Sequence, residues 1–254
     1  MLIAPERLAA EVRLTAAEAH YLQRVLRLAP GQGCDVVDGA GRLWGARLAG
    51  ADRLRLEQPL TEPLENQLRS QPQLALAVAL PKRDGEILWR MATELGIDHL
   101  QLLLAERGSA RGAWPEERWH AIAREATEQC ERLWLPSLAS PAAAAAWLAE
   151  PGAGLRLLAT CRREGLPQLG DALWAAMKAS GGATAGVPAS VTVAIGPEGG
   201  WSPAEEEIAE AQGWLPVAIG GTILRTATAA VAAAACLVGW RDQLSSSSSR
   251  GRFP

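Results

Sequence analysis

The chain is short of cysteine, histidine and lysine, and each shortage narrows what it can do. Its four cysteines, Cys34, Cys130, Cys161 and Cys236, lie far apart and form no C-x-x-C pair, so neither a zinc site nor a disulfide framework is expected. The three histidines, His20, His99 and His120, are equally scattered, none has a partner at ligand spacing, and no metal is expected. Among the 25 basic residues only Lys82 and Lys178 are lysine. The arginine excess suits bidentate phosphate contacts and stacking on bases, although a composition biased towards alanine and tryptophan also accounts for it. No apolar run reaches the length of a membrane span; the longest, 226–240, is alanine-rich and stops at about fifteen residues. The opening M-L-I-A-P-E-R lacks the apolar core of a signal peptide, so a cytoplasmic protein without a membrane partner is expected.

What is present is enough for a folded protein. With 254 residues, 48% of them hydrophobic, the chain can bury a sizeable core in one large domain or two modest ones. Its net charge of -3 does not favour nucleic acid overall, since binding to phosphates draws on a basic surface, but net charge says nothing of local patches.

Residues 1–68 read as a small, mostly β module. Thr15 is an N-cap with Glu18 three residues on, followed by Tyr21, Leu22, Val25 and Leu26 on one helix face. Short strands are expected at 34–37, 43–48 and 54–56, separated by Gly and Asp turns. Residues 61–72, polar and carrying Pro63 and Pro72, read as a linker. From 73 to 244, strand-like runs at 74–80, 100–104, 155–160, 191–195 and 215–219 alternate with helical stretches, which predicts an α/β domain with a parallel sheet. Asp84 is expected to cap the helix ending at Gly96, where Glu94 pairs with Arg90, and Pro115 to open the one running to Arg132. Residues 141–154 and 180–188 read as low-complexity loops, and 245–254 as a disordered, serine-rich tail.

The densest chemistry lies at 195–230, where two glycine turns each follow an apolar run. Gly196-Pro197-Glu198-Gly199-Gly200 precedes Ser202-Pro203-Ala204-Glu205, an N-cap, an N1 proline and a capping box in order. Gly220-Gly221 leads through Ile223, Leu224, Arg225 and Thr226 into an alanine-rich helix. Glycines let backbone approach a ligand closely, and Arg225 is placed to meet an anion. Glu198 is open to two readings, a carboxylate acting at the site or one that accepts backbone N–H bonds and shapes the loop.

G-P-E-G-G followed by G-x-x-I-L-R-T resembles the signature of the RsmE family of bacterial small-subunit rRNA uridine-N3 methyltransferases, in the SPOUT superfamily. Residues 20–27 (H-Y-L-Q-R-V-L-R), Lys82, Ala92-Thr93-Glu94-Leu95-Gly96, Glu106-Arg107 and Glu128-Gln129-Cys130-Glu131-Arg132 with Pro136 resemble the family's other blocks. Cys130, Thr222 and Ala227 depart from it, standing where the family has serine, often arginine, and glutamate.

The resemblance implies a C-terminal parallel-sheet SPOUT domain with a trefoil knot, an N-terminal PUA-like RNA-binding β-barrel, and a homodimer acting on 16S rRNA or the small ribosomal subunit. It implies S-adenosylmethionine held by Thr160, Gly196, Pro197, Glu198, Gly199, Gly200, Ile219, Gly220, Ile223, Leu224 and Thr226. Arg225 and Glu198 are the implied catalytic residues, and Arg24, Arg27, Lys82, Arg107 and Arg132 the implied RNA contacts. A SPOUT enzyme modifying another position, such as a ribose 2′-hydroxyl, and an RNA-binding homologue without turnover stand as alternatives; Ala227 keeps the latter open.

Overall fold

A computed structural model describes residues 1–81, 83–108, 115–161, 163–179 and 187–249. The chain forms two compact units, Met1–Arg69 with Thr127–Leu135, and Ser70–Ala126 with the residues from Pro136 on.

In the first unit, β1 (Glu11–Arg13) is followed by α1 (Ala16–His20), a π-helical turn at Tyr21–Val25, β2 (Gly33–Val37), β3 (Arg42–Leu48), β4 (Arg53–Leu56) and β5 (Glu65–Asn66). The strands pair antiparallel in the order β1-β4-β3-β2, with β5 on β3. Alternation places Leu54 and Leu56 inside and Arg53 and Arg55 outside, and the core gathers Ile3, Val12, Leu22, Val36, Trp44 and Leu48. The Thr15 capping box forms as its residues dictate. The helix face does not: Leu22 is buried, but Val25 and Leu26 are 59% and 49% exposed, because the wider π turn rotates them off the α-helical face. β5 lies inside the stretch read as a linker; two exposed residues carry no alternation to reveal a strand. Thr127–Leu135 completes this unit through a bridge from Trp134 to Ala40 and through Leu133 and Leu135, which pack with Leu2 and Val37. Arg69 stacks over the Trp134 ring at 4.3 Å.

Onward the elements are β6 (Gln73–Ala79), α2 (Gly85–Leu95), β7 (His99–Leu104), α3 (Glu116–Gln129), β8 (Ser137–Ala143), α4 (Ala144–Ala149), β9 (Leu155–Ala159), α5 (Leu169–Ala179), β10 (Ser190–Ile195), α6 (Pro203–Ala211), β11 (Leu215–Val217) and α7 (Thr226–Ser249). The six strands are all parallel, in the order β11-β9-β10-β6-β7-β8. Both sheet faces are covered, which is why the strands read as continuous apolar runs. On one face Leu74, Leu76 and Val78 meet α2, α5 and α7. On the other, small Ala77 and Ala194 leave room for Trp201 and Trp214 beside α4 and α6.

Several expectations need correcting. Residues 141–149 are not a loop: β8 ends there at Ala143 and α4 follows to Ala149, and Pro141 is tolerated because β8 is an edge strand with a bulge opposite Gln101 to Leu103. Asp84 stands at the start of α2 but makes no side-chain cap, its backbone being left-handed (φ 64). α3 ends at Gln129, three residues short of Arg132, and Glu131 beyond it is left-handed (φ 57). α7 runs through 245 to Ser249, since serine after an alanine-rich helix supplies no stop. Residues 180–186 of the expected loop at 180–188 lie outside the described residues, as do 250–254 of the tail.

Candidate functional site

In a parallel sheet the carboxyl ends of all strands open on the same side. β9 lies between β10 and β11, so the crossover through α5 runs one way along the sheet and the crossover through α6 runs back. Such a reversal leaves a crevice beyond the strand ends. Here the loops after β9, β10 and β11 converge on a cavity of about 510 Å³, within the range of small-ligand sites.

The loops are tied to one another. Thr160 N–H donates to Val217 O (3.1 Å), Ala218 N–H to Pro167 O (2.9 Å) and Leu169 N–H to Ala218 O (2.8 Å). The Thr226 hydroxyl donates to Gly196 O (3.0 Å), and the Trp201 indole N–H to Ala159 O (3.0 Å). Behind the first glycine turn the capping box of Ser202 and Glu205 forms, and the same Glu205 carboxylate accepts the backbone N–H of Glu106 at 2.9 Å. One buried carboxylate thereby fixes both the start of α6 and the loop carrying Arg107.

The glycines divide by what surrounds them. A Cβ on Gly196 would stand 3.0 Å from the Trp201 ring, and one on Gly199 3.1 Å from Arg107 Cβ, so at both a side chain would crowd a neighbour and packing favours glycine. Gly200 has φ 74, a conformation costly for other residues. Gly220 and Gly221 differ: their φ is ordinary and a Cβ on either would meet nothing within 4 Å. Neither strain nor protein packing asks for glycine there, yet both line the cavity. The space is what a cofactor pressed against that backbone requires, so the residues present fit S-adenosylmethionine.

Every residue expected to hold the cofactor, from Thr160 through Thr226, lies on this cavity wall. The charged residues are placed less uniformly. Glu198 is exposed on the wall and, among the described residues, accepts no hydrogen bond from the loop, against the loop-shaping reading. Arg107 lines the cavity and donates to Trp201 O at 3.0 Å. Arg225 is exposed and does not line it, although Leu224 and Thr226 on either side do. Arg24 and Arg27 are exposed on the first unit, which also contains the half-buried Arg132. Lys82 lies outside the described residues. Glu94 pairs with Arg90 at 3.7 Å on the α2 surface.

Sequence reasoning missed Trp201, Arg163 and Glu206 on the wall. Arg163 is bound to Glu210. Glu206 accepts the Thr160 hydroxyl at 2.6 Å. The available signal was position: the first turn of a helix that follows a glycine loop turns back towards that loop.

Comparison with known proteins places this geometry. The profile of the RNA methyltransferase domain family matches residues 69–238, and that of the RNA methyltransferase PUA domain matches 14–57. Ribosomal RNA small subunit methyltransferase E of Synechocystis sp. is 40% identical over 239 residues, 92% of this chain and 75% of that protein. The protein of the same name from Mycobacterium bovis is 30% identical over 231 residues, 85% of this chain and 81% of its own. The crystal structure of ribosomal RNA small subunit methyltransferase E from Neisseria gonorrhoeae bound to S-adenosyl methionine superposes with a TM-score of 0.74 at 26% identity, covering 93% of this chain and 95% of that one.

Proposed function

The chain belongs to the ribosomal RNA small subunit methyltransferase E family, and from that premise we propose that it transfers the methyl group of S-adenosylmethionine to N3 of a uridine in 16S rRNA, as a cytoplasmic homodimer. The observation that carries the reading is the glycine-walled cavity beyond β9, β10 and β11, with Gly220 and Gly221 kept open by nothing in the protein itself. Bound there, S-adenosylmethionine supplies an electrophilic methyl group on a sulfonium. The protein's remaining task is to align the nucleophile and exclude water.

Uridine N3 carries a proton at neutral pH, so a group must accept it and another must stabilise the resulting anion. Arg225 cannot take a proton, its guanidinium being always charged. Beside the mouth of the cavity it is suited to the anionic uracil or to a phosphate of a flipped-out nucleotide. Glu198, exposed on the wall with no partner among the described residues, has the capacity to accept the proton. Arg24, Arg27 and Arg132 of the first unit, with Arg107 and Lys82, are the proposed RNA contacts. The bonds holding Ala218 to Pro167 and Leu169 support the knotted path that the SPOUT resemblance implies. Among the described residues no helix is long and apolar enough to cross a membrane.

The test is nucleoside mass spectrometry of small-subunit rRNA, free and assembled, incubated with purified protein and labelled S-adenosylmethionine. 3-Methyluridine is expected. A ribose-methylated nucleoside would reassign the position, and unmodified RNA with cofactor bound would leave an RNA-binding homologue without turnover.

A further inference from the structure

The cavity wall carries a carboxylate that the reading above leaves without a task. Glu206 stands in the first turn of α6, half-buried, with Oε1 accepting the Thr160 hydroxyl at 2.6 Å. Among the described residues Oε2 has no hydrogen-bond partner. The nearby cation Arg163 makes its direct ion pair elsewhere. Arg163 is held charged chiefly by its hydrogen bond to Glu210, and Glu206 acts on it only as a weaker, through-space charge. With Arg163 paired to Glu210, Glu206 has no ion pair of its own among the described residues. Thr160 fixes its position: the hydroxyl sits directly after β9, and its own N–H is tied to β11 through Val217 O.

A fixed carboxylate at a partly desolvated wall attracts cations and disfavours their neutral counterparts. S-adenosylmethionine offers two cationic centres, the sulfonium and the α-ammonium; the demethylated product S-adenosylhomocysteine keeps only the second. We infer that Glu206 is the counter-charge for a cationic centre of the cofactor, a specificity-determining residue of this site. The inference rests on the cofactor reading above. If the sulfonium is the partner, the same charge also ranks the methyl donor above its product, so that turnover itself loosens the spent cofactor.

The experiment is isothermal titration calorimetry of the full chain and of Glu206→Gln with S-adenosylmethionine, S-adenosylhomocysteine and 5′-methylthioadenosine, which lacks both cationic centres. Glutamine keeps the acceptor for Thr160 and removes only the charge. The expected result is that Glu206→Gln loses about fivefold to tenfold in affinity for S-adenosylmethionine, a tenfold loss being about 1.4 kcal/mol, and less than about twofold for methylthioadenosine. Unchanged affinity for S-adenosylhomocysteine identifies the sulfonium as the partner; a matching loss identifies the ammonium. An equal loss for all three ligands, or a lowered melting temperature of the unliganded variant, would make Glu206 a structural residue and overturn the inference, as would no loss at all. If the unmodified chain binds none of the three, the cofactor reading fails first, and separately.

Discussion

At the scale of single residues, the sharpest contrast lies between glycines a few turns apart. Gly220→Ala and Gly221→Ala place a methyl in open space with ordinary φ, so the melting temperature should be unchanged while calorimetry shows S-adenosylmethionine affinity falling about tenfold or more. Gly196→Ala drives its methyl to 3.0 Å from the Trp201 ring and should cost about 1 to 3 kcal/mol in denaturant titrations whether or not cofactor is present. Arg225→Ala is expected to abolish methyl transfer with the fold intact, because the side chain is exposed; near-normal turnover in a single-turnover assay would remove it from the mechanism. Ala227 is half-buried against the core that α2, α5 and α7 share, so Ala227→Glu tests the family's carboxylate against a packing cost. No change in rate would show that carboxylate to be dispensable. The cavity wall was legible because glycine, proline and cap residues act locally on the backbone. Glu206 and Trp201 were not, because their roles arise from which strand ends the topology brings together, and no spacing in the sequence encodes that.

At the scale of elements, ends and anchors decide most. The buried pair of Arg241 and Asp98, joined at 2.6 Å, holds α7 to the start of β7, and the same guanidinium donates to Gly96 O at the end of α2. Removing one partner, as in Arg241→Met, takes the counter-charge from the buried Asp98 carboxylate and should cost about 3 to 5 kcal/mol in chemical denaturation. α1 carries an acid-sensitive anchor. Burial pushes the Glu18 carboxyl up, but the hydrogen bonds from Arg7 and from Thr15 outweigh it and hold the group down at about 2. Its folded value lies below its unfolded one, so its contribution is complete above about pH 4.5 and is lost as the pH falls from there towards 2. Glu18→Gln should flatten that limb of an acid-unfolding curve. The parallel sheet was legible from five apolar runs and the helices between them. β8 was hidden because an alanine-rich edge strand with a proline has the composition of a loop, and β1 and β5 because strands of three and two residues are too short to show a period.

At the scale of the whole molecule, chain order and spatial grouping disagree. A fragment of residues 1–69 lacks Thr127–Leu135, and with it Leu133, Leu135 and Trp134 against Leu2, Val37 and Ala40. It should show little cooperative unfolding by circular dichroism, whereas the full chain unfolds with this segment in place. No local pattern announces such a non-sequential unit, since it is defined by contacts formed between distant stretches. The open flank of Gly220 and Gly221 carries a meaning beyond catalysis. On the proposed cofactor reading, what holds these two cavity positions to glycine is the visiting molecule, so they record use. In a lineage that abandoned the reaction but kept the protein folded, mutations would accumulate first at these two positions, while Gly196 and Gly199 would still be held in place by Trp201 and Arg107.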